Sequence, residues 1–107
     1  MNAMRLEKGY RAWGTEYTTE RTLLETGGGL FAHTEGREFI GRKAMLDRWQ
    51  RDDRWSMHLL ELEDTGQDPF YAHTVYQSDR PVGIVTSASY GHRVQKPLAL
   101  ALSLIHI

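Results

Sequence analysis

The chain has 107 residues, 40% of them hydrophobic and 25% charged, a net charge of −1 and no cysteine. That is one domain's worth of polypeptide, or pieces of two, with room for a modest core. The interspersed charges exclude the basic stripe of a nucleic-acid surface. The missing thiols exclude disulfide and thiolate chemistry and fit a reducing compartment. No apolar run reaches the ~20 residues needed to span a bilayer.

The first stretch, Met4 to Gly14, sets Arg5 and Arg11 among Tyr10, Trp13 and two glycines. Met4 and Leu6 alternate as in a strand, while Leu6, Tyr10 and Trp13 give only a loose helical spacing. A strand running into a Trp13-Gly14 turn is therefore expected. Arginine offers a rigid fork of donors for a carboxylate or for the hydrogen-bonding edge of a ring. Tyrosine and tryptophan offer flat surfaces with a polar handle. The mix suits a ligand planar at one end and anionic at the other; the plain alternative is an edge strand with a solvated charged face.

Thr18 to Arg21 is polar and expected at the surface. Thr22 to Glu25 reads as a turn or a single helical turn, ended by Gly27-Gly28-Gly29. That run is either a flexible loop or a place where backbone closely approaches a ligand; no Gly-Lys-Ser/Thr follows, so it is not a phosphate loop. Leu30 to His33 reads as a short strand. Residues 41–51 read as a helix with Ala44, Met45, Leu46 and Trp49 on its apolar side. Asp52-Asp53-Arg54 breaks it and marks a domain boundary.

The remainder reads as β. Strands are expected from Trp55 through Leu62, over His73–Tyr76, over Val82–Ser87 and from Pro97 to Leu104. Turn-rich connections lie at Asp64–Pro69 and Gln77–Pro81, and a loop at Ala88–Lys96. Trp55, Met57, Leu59, Val75, Val82, Ile84 and Leu98 are the expected interior of a small antiparallel barrel or sandwich. The apolar run from Leu98 to Ile107 has no polar cap, and Leu104 to Ile107 resembles no family pattern, which points to a truncated end.

Chemistry-bearing residues are sparse. The five histidines, 33, 58, 73, 92 and 106, form no metal-ligand spacing. Ser87 and Ser89 do not sit in a Gly-x-Ser-x-Gly elbow. Glu61 and Glu63 share one strand face and read as solvated. No self-contained catalytic apparatus is legible.

Four ordered blocks carry a family resemblance. Arg5-Leu6-Glu7-Lys8-Gly9-Tyr10-Arg11, with Trp13-Gly14, opens the chain. Leu24-Glu25-Thr26-Gly27, then Glu38-Phe39-Ile40-Gly41-Arg42-Lys43-Ala44, follow it. Pro81 to Ser87, with Ser89-Tyr90-Gly91, closes it. In this order they resemble the C-terminal part of the glycine cleavage T-protein (aminomethyltransferase) family, most of all the dimethylglycine and sarcosine dehydrogenase type of flavoenzyme. Three positions depart from the family pattern: Leu23 replaces a proline, Gly28 an apolar residue and Leu30 an aromatic.

The resemblance implies an α+β fold. Residues 1–52 would be the end of the aminomethyltransferase folate-binding domain, and residues 53–107 a small antiparallel β-barrel. It implies tetrahydrofolate as cofactor, with FAD only in an upstream domain, and a small N-methyl amine as substrate of the full-length protein. It places Arg5 at the folate or substrate, with Tyr10 and Trp13 as candidates for aromatic packing around it or for the core. The family's catalytic carboxylate lies upstream of the first block, so no catalytic residue is assigned here. The chain by itself is expected to be a catalytically silent piece of a larger enzyme, with Leu6, Leu24, Phe31 and Phe39 facing water. The implied compartment is the cytoplasm, or the mitochondrial matrix in a eukaryote. Two rivals stand beside this reading: the T-protein, which transfers an aminomethyl group from a lipoyl arm without flavin, and a non-catalytic binding or assembly relative.

Overall fold

A computed structural model describes residues 1–63 and 66–104. The tip of the expected Asp64–Pro69 turn and the end from 105 to 107 lie outside the described residues. The element order is helix α1 (Asn2–Glu7), a 3-10 helix (Gly28–Phe31), helix α2 (Arg42–Trp49), and strands β1 (Ser56–Glu61), β2 (Thr74–Gln77), β3 (Arg80–Gly91) and β4 (Lys96–Ser103).

The four strands form one antiparallel sheet in the order β1-β4-β3-β2. Strand β4 is central and buried from Pro97 to Ser103, and its run Leu98-Ala99-Leu100-Ala101-Leu102 is apolar on both faces. Strands β1 and β2 are the sheet's edges. The hairpin β2–β3 turns on Ser78 and Asp79, both at positive φ (49° and 64°), the geometry that matches strand twist in a two-residue loop. Strand β3 continues past Ser87 to Gly91, so the expected loop over Ala88–Lys96 shrinks to His92–Gln95. The extension is held by the ladder Ala88↔Ala99, Ser89↔Leu98 and Tyr90↔Pro97, pairing that the polar composition of residues 88–95 conceals.

The strand expected at Met4–Trp13 is instead helix α1. Ala3, Met4, Arg5, Leu6 and Glu7 are all good helix formers, and Gly9 (φ 69°) stops the helix. The Gly9 amide donates to Leu6 O at 2.8 Å and the Tyr10 amide to Arg5 O at 2.9 Å, the paired bonds of a Schellman end. Leu6 is fully buried and packs with Leu98 and Leu100, with Met57 beside them. It therefore does not face water as expected; α1 lies on β3 and β4 and covers it. Phe31 and Phe39 are exposed as expected, and Leu24 is half-buried.

Two further expectations fail in the first half. Leu30–His33 is not a strand: Gly28–Phe31 winds into the 3-10 helix, entered through Gly27 at φ 75°. Helix α2 forms, but none of its residues is fully buried and Trp49 is half exposed. In the sheet, Leu98 is interior, while Leu59 is 44% exposed and Trp55, Met57, Val75, Val82 and Ile84 are only partly buried. Leu59 sits on edge strand β1, where alternation selects a face without anything to cover it.

Candidate functional site

Residues 12–17 fold into a tight loop. The Glu16 and Tyr17 amides donate to Ala12 O, the Gly14 amide donates to Tyr17 O, and Gly14 takes φ 89°. The loop carries the Glu16 side chain inward until it is fully buried. Five donors meet its two oxygens. On Oε2 these are the Ala12 amide at 2.8 Å, Thr15 Oγ1 at 2.8 Å and Arg5 Nη1 at 3.1 Å. On Oε1 they are Thr86 Oγ1 at 2.8 Å and the Ser87 hydroxyl. Burial pushes the Glu16 carboxyl upward, but the hydrogen bonds from Ser87, Ala12, Thr15 and Thr86 outweigh it and hold the group below the usual carboxylate range. Glu16 is thus a buried, ionised, fully satisfied carboxylate.

The approach of both Thr86 and Ser87 needs explanation, because neighbours in a regular strand point to opposite faces. The ladder between β3 and β4 pairs Val85 with Ala101 and then Ser87 with Leu100, leaving Thr86 as an extra residue. This β-bulge re-aims consecutive side chains, and it brings two adjacent hydroxyls to one carboxylate oxygen.

Arg5 stands on the solvent side of this cluster, its side chain 19% exposed. Its Nε donates to Asn2 Oδ1 (2.8 Å), Nη1 to Tyr10 O (3.0 Å) and to Glu16, and Nη2 to Ser87 Oγ (2.7 Å). A guanidinium has five N–H groups, and these contacts use all but one, on Nη2. Arg5 is therefore a rigid, charge-compensated donor and not the open bidentate fork that its residue type suggests. It lines a cavity of about 420 Å³ together with Asn2, Phe70, Tyr71, Ser87 and Ser89. Tyr71 and Phe70 are well exposed, and the Phe70 ring stands edge-on to His73 at 5.6 Å.

Of the expected site residues, only Arg5 reaches this cavity. Tyr10 and Trp13 are 61% and 79% exposed and do not line it, so neither is core; Tyr10 contributes its carbonyl, and Lys8 lies 5.9 Å from its ring. None of Glu16, Thr86, Ser87, Phe70 and Tyr71 is a site residue in the sequence reading; Thr86 and Ser87 appear there within the last family block, and Ser87 also as a rejected nucleophile. One signal pointed toward Glu16: an acidic residue two positions after Gly14 of the Trp13-Gly14 turn, close in sequence to an arginine of opposite charge.

A second buried carboxylate closes the first half. Glu25 accepts from the Thr22 amide and hydroxyl, from Arg48 Nη2 at 3.0 Å and from the Trp55 amide at 3.2 Å. It ties the 22–27 turn to α2 and to the entrance of β1. Burial raises its pKa, and these bonds overcome that and lower it to about 2. Beside it a hollow of about 340 Å³ is walled by Trp49 and Trp55, with Gly27 and Gly29 on its lining. Arg21 sits over the Trp55 ring at 4.7 Å and Arg54 over Trp49 at 5.9 Å.

Comparison with known proteins agrees with the resemblance in the motifs. Residues 56–103, which contain β1 to β4, match the glycine cleavage T-protein C-terminal barrel domain. Over 102 residues the chain is 34% identical to human mitochondrial dimethylglycine dehydrogenase, a match covering 94% of the chain and 12% of that protein. It is 34% identical over 100 residues to the aminomethyltransferase of Thermus thermophilus and 32% identical over 101 residues to that of Prochlorococcus marinus strain NATL1A. Each of these two matches covers 94% of the chain and 27% of the relative. Among the described residues no helix is long and apolar enough to cross a membrane.

Proposed function

Because residues 56–103 match the glycine cleavage T-protein C-terminal barrel domain, we propose that this chain supplies one wall of a folate pocket in an aminomethyltransferase-type module. Residues 1–52 would close the folate-binding domain and residues 53–107 would form the barrel packed against it. The observation that carries the reading is the meeting of Arg5, from the first family motif, with Ser87, from the last, at the rim of one cavity. Neither block alone makes that rim.

The residues fit a folate on this wall. The cavity is within the ~300–1,000 Å³ range of small-molecule sites. It pairs flat rings (Phe70, Tyr71) with hydroxyls (Ser87, Ser89) and the remaining Nη2 hydrogen of Arg5, a set suited to a planar heterocycle with a polar edge. Tetrahydrofolate would supply the acceptor for the one-carbon unit, and these residues would hold and orient it on one side. The parent reaction is proposed as oxidation of a small N-methyl amine by an FAD enzyme of the dimethylglycine or sarcosine dehydrogenase type, in the cytoplasm or the mitochondrial matrix. The flavin does not fit this chain: Gly27-Gly28-Gly29 follows a turn and opens a four-residue 3-10 helix, where a dinucleotide fingerprint needs a strand before it and a helix after. It would belong to a preceding domain.

A second reading is the aminomethyltransferase itself, favoured by relatives of that name of which the chain covers a larger share. Purifying the intact protein that carries these residues separates the two. Flavin absorbance bleached by dimethylglycine or sarcosine supports the dehydrogenase; a flavin-free protein that acts on an aminomethyl-lipoyl carrier supports the transferase. For the shared core of the proposal, tetrahydrofolate is titrated into wild type and Arg5→Ala. Loss of one charge-assisted bond predicts roughly 10- to 150-fold weaker binding. Equal dissociation constants would overturn it.

A further inference from the structure

The Arg5 guanidinium is oriented almost entirely by groups of this chain, and the largest share of that orientation converges on one residue the family motifs do not single out. Glu16 accepts directly from Arg5 Nη1 and also from the Ser87 hydroxyl, which in turn accepts from Arg5 Nη2. The two routes grip both terminal nitrogens of Arg5 and fix its plane. Glu16 is itself locked by the Ala12 amide, Thr15 and Thr86, so it has no freedom to follow a wandering guanidinium. Its carboxylate is fully buried and does not line the cavity. It therefore touches no occupant and acts only through Arg5 and Ser87.

We infer that Glu16 is the positioning residue of the cavity: it holds Arg5 and Ser87 in one fixed arrangement, so that a single Arg5 N–H and the Ser87 oxygen present a preformed edge to a ligand. The inference rests on the folate reading for the identity of that ligand, but not for the arrangement itself. Preorganisation of this kind matters most where few donors remain, because a wandering guanidinium with one spare N–H would give up an internal bond each time it reached for a ligand. The bulge at Thr86 belongs to the same device, since without it only one of the two hydroxyls would reach Glu16.

The test has two arms, both in the intact protein. In the first, the Arg5 side-chain N–H signals are followed by NMR in wild type and in Glu16→Gln, which keeps the shape but removes the charge and turns one accepting oxygen into a donating amide. Slow hydrogen exchange and hindered rotation of the guanidinium are expected in wild type and are expected to be lost in Glu16→Gln. Unchanged Arg5 signals would overturn the inference. In the second arm tetrahydrofolate affinity is measured across the cycle of wild type, Glu16→Gln, Arg5→Ala and the double variant. Glu16→Gln should weaken binding by roughly tenfold or more when Arg5 is present and have no further effect when it is absent. Equal losses in both backgrounds would mean a merely structural role and would overturn the inference. Glu16→Asp, one methylene shorter, should recover the charge but not the reach to both Arg5 and Ser87, and so rescue only part of the affinity; full rescue would count against positioning. If wild type fails to bind tetrahydrofolate, the functional proposal falls, and the first arm alone decides whether Glu16 fixes Arg5.

Discussion

Arg5 Nη2 donates to Ser87 Oγ at 2.7 Å across 82 residues of sequence. This bond, with the Glu16 carboxylate behind it, locks α1 onto β3, and it makes the candidate site a property of the sheet and the N-terminal motif together.

Arg5→Ala should therefore destabilise the fold as well as weaken ligand binding. The substitution leaves the buried Glu16 charge without its cation, and breaking a buried pair typically costs ~3–5 kcal/mol. Four other donors still serve Glu16, so the loss should fall near about 3 kcal/mol. Arg5→Lys, which keeps the charge but cannot reach Asn2, Tyr10 and Ser87 together, should lose less. Urea unfolding of the three proteins measures both. Wild-type stability in Arg5→Ala would show that the cluster contributes nothing to the fold.

Acid should unfold the chain through Glu25. Its folded pKa is depressed from the usual 4.5 to about 2. A depressed pKa contributes stability that is present above the unfolded value and is lost as pH falls through the folded one. For Glu25 that window runs from about 4.5 down to about 2. The stability involved is on the order of 3 kcal/mol. Glu16, also depressed, adds a loss of the same sign. Glu25→Gln should start less stable at neutral pH and show a visibly shallower fall in that window. Parallel pH profiles for wild type and variant would refute the assignment.

Two glycines in different settings should respond differently to alanine. At Gly83 a Cβ would lie 2.3 Å from the Leu102 carbonyl oxygen, in the ladder between β3 and β4, where backbone cannot yield cheaply. Gly83→Ala should cost ~1–3 kcal/mol as overpacking does. At Gly14 no atom lies within 4 Å of the added Cβ, and only φ 89° opposes it. That cost is about 1–2 kcal/mol, from the backbone alone. Unchanged stability in Gly83→Ala would contradict the packing described at β4.

The β2–β3 hairpin should be open to improvement. Ser78 and Asp79 both occupy the left-handed region, which asparagine and glycine tolerate far better. Ser78→Asn with Asp79→Gly should raise stability by roughly 0.5–1 kcal/mol. A rise in thermal midpoint checks it; a fall would mean that the turn does not have this geometry in solution.

How much of this was legible in the sequence depended on the range of the interaction. Strands β1, β2 and β4, helix α2 and the Gln77–Pro81 hairpin could be read from local pattern, because apolar runs and turn residues act within a few positions of themselves. The ordered motifs identified the kind of module, and Arg5 was picked out by motif position. Local pattern misled at α1, where Met4 and Leu6 alternate although burial of Leu6 against Leu98 and Leu100 selects the helix. It misled again at Leu59, where alternation chose a face that an edge strand leaves uncovered. Thr86 and Ser87 could be read as part of a motif block, but the meeting of Glu16, Thr86 and Ser87 could not be read. Their meeting needs a strand bulge set by pairing with β4 and side-chain contacts across 70 and 71 residues. The sequence by itself determined which segments could be strands, turns and motif blocks. Only tertiary structure decided that a buried carboxylate would stand behind Arg5, because two of the five bonds that make this burial tolerable come from β3, far away in the chain.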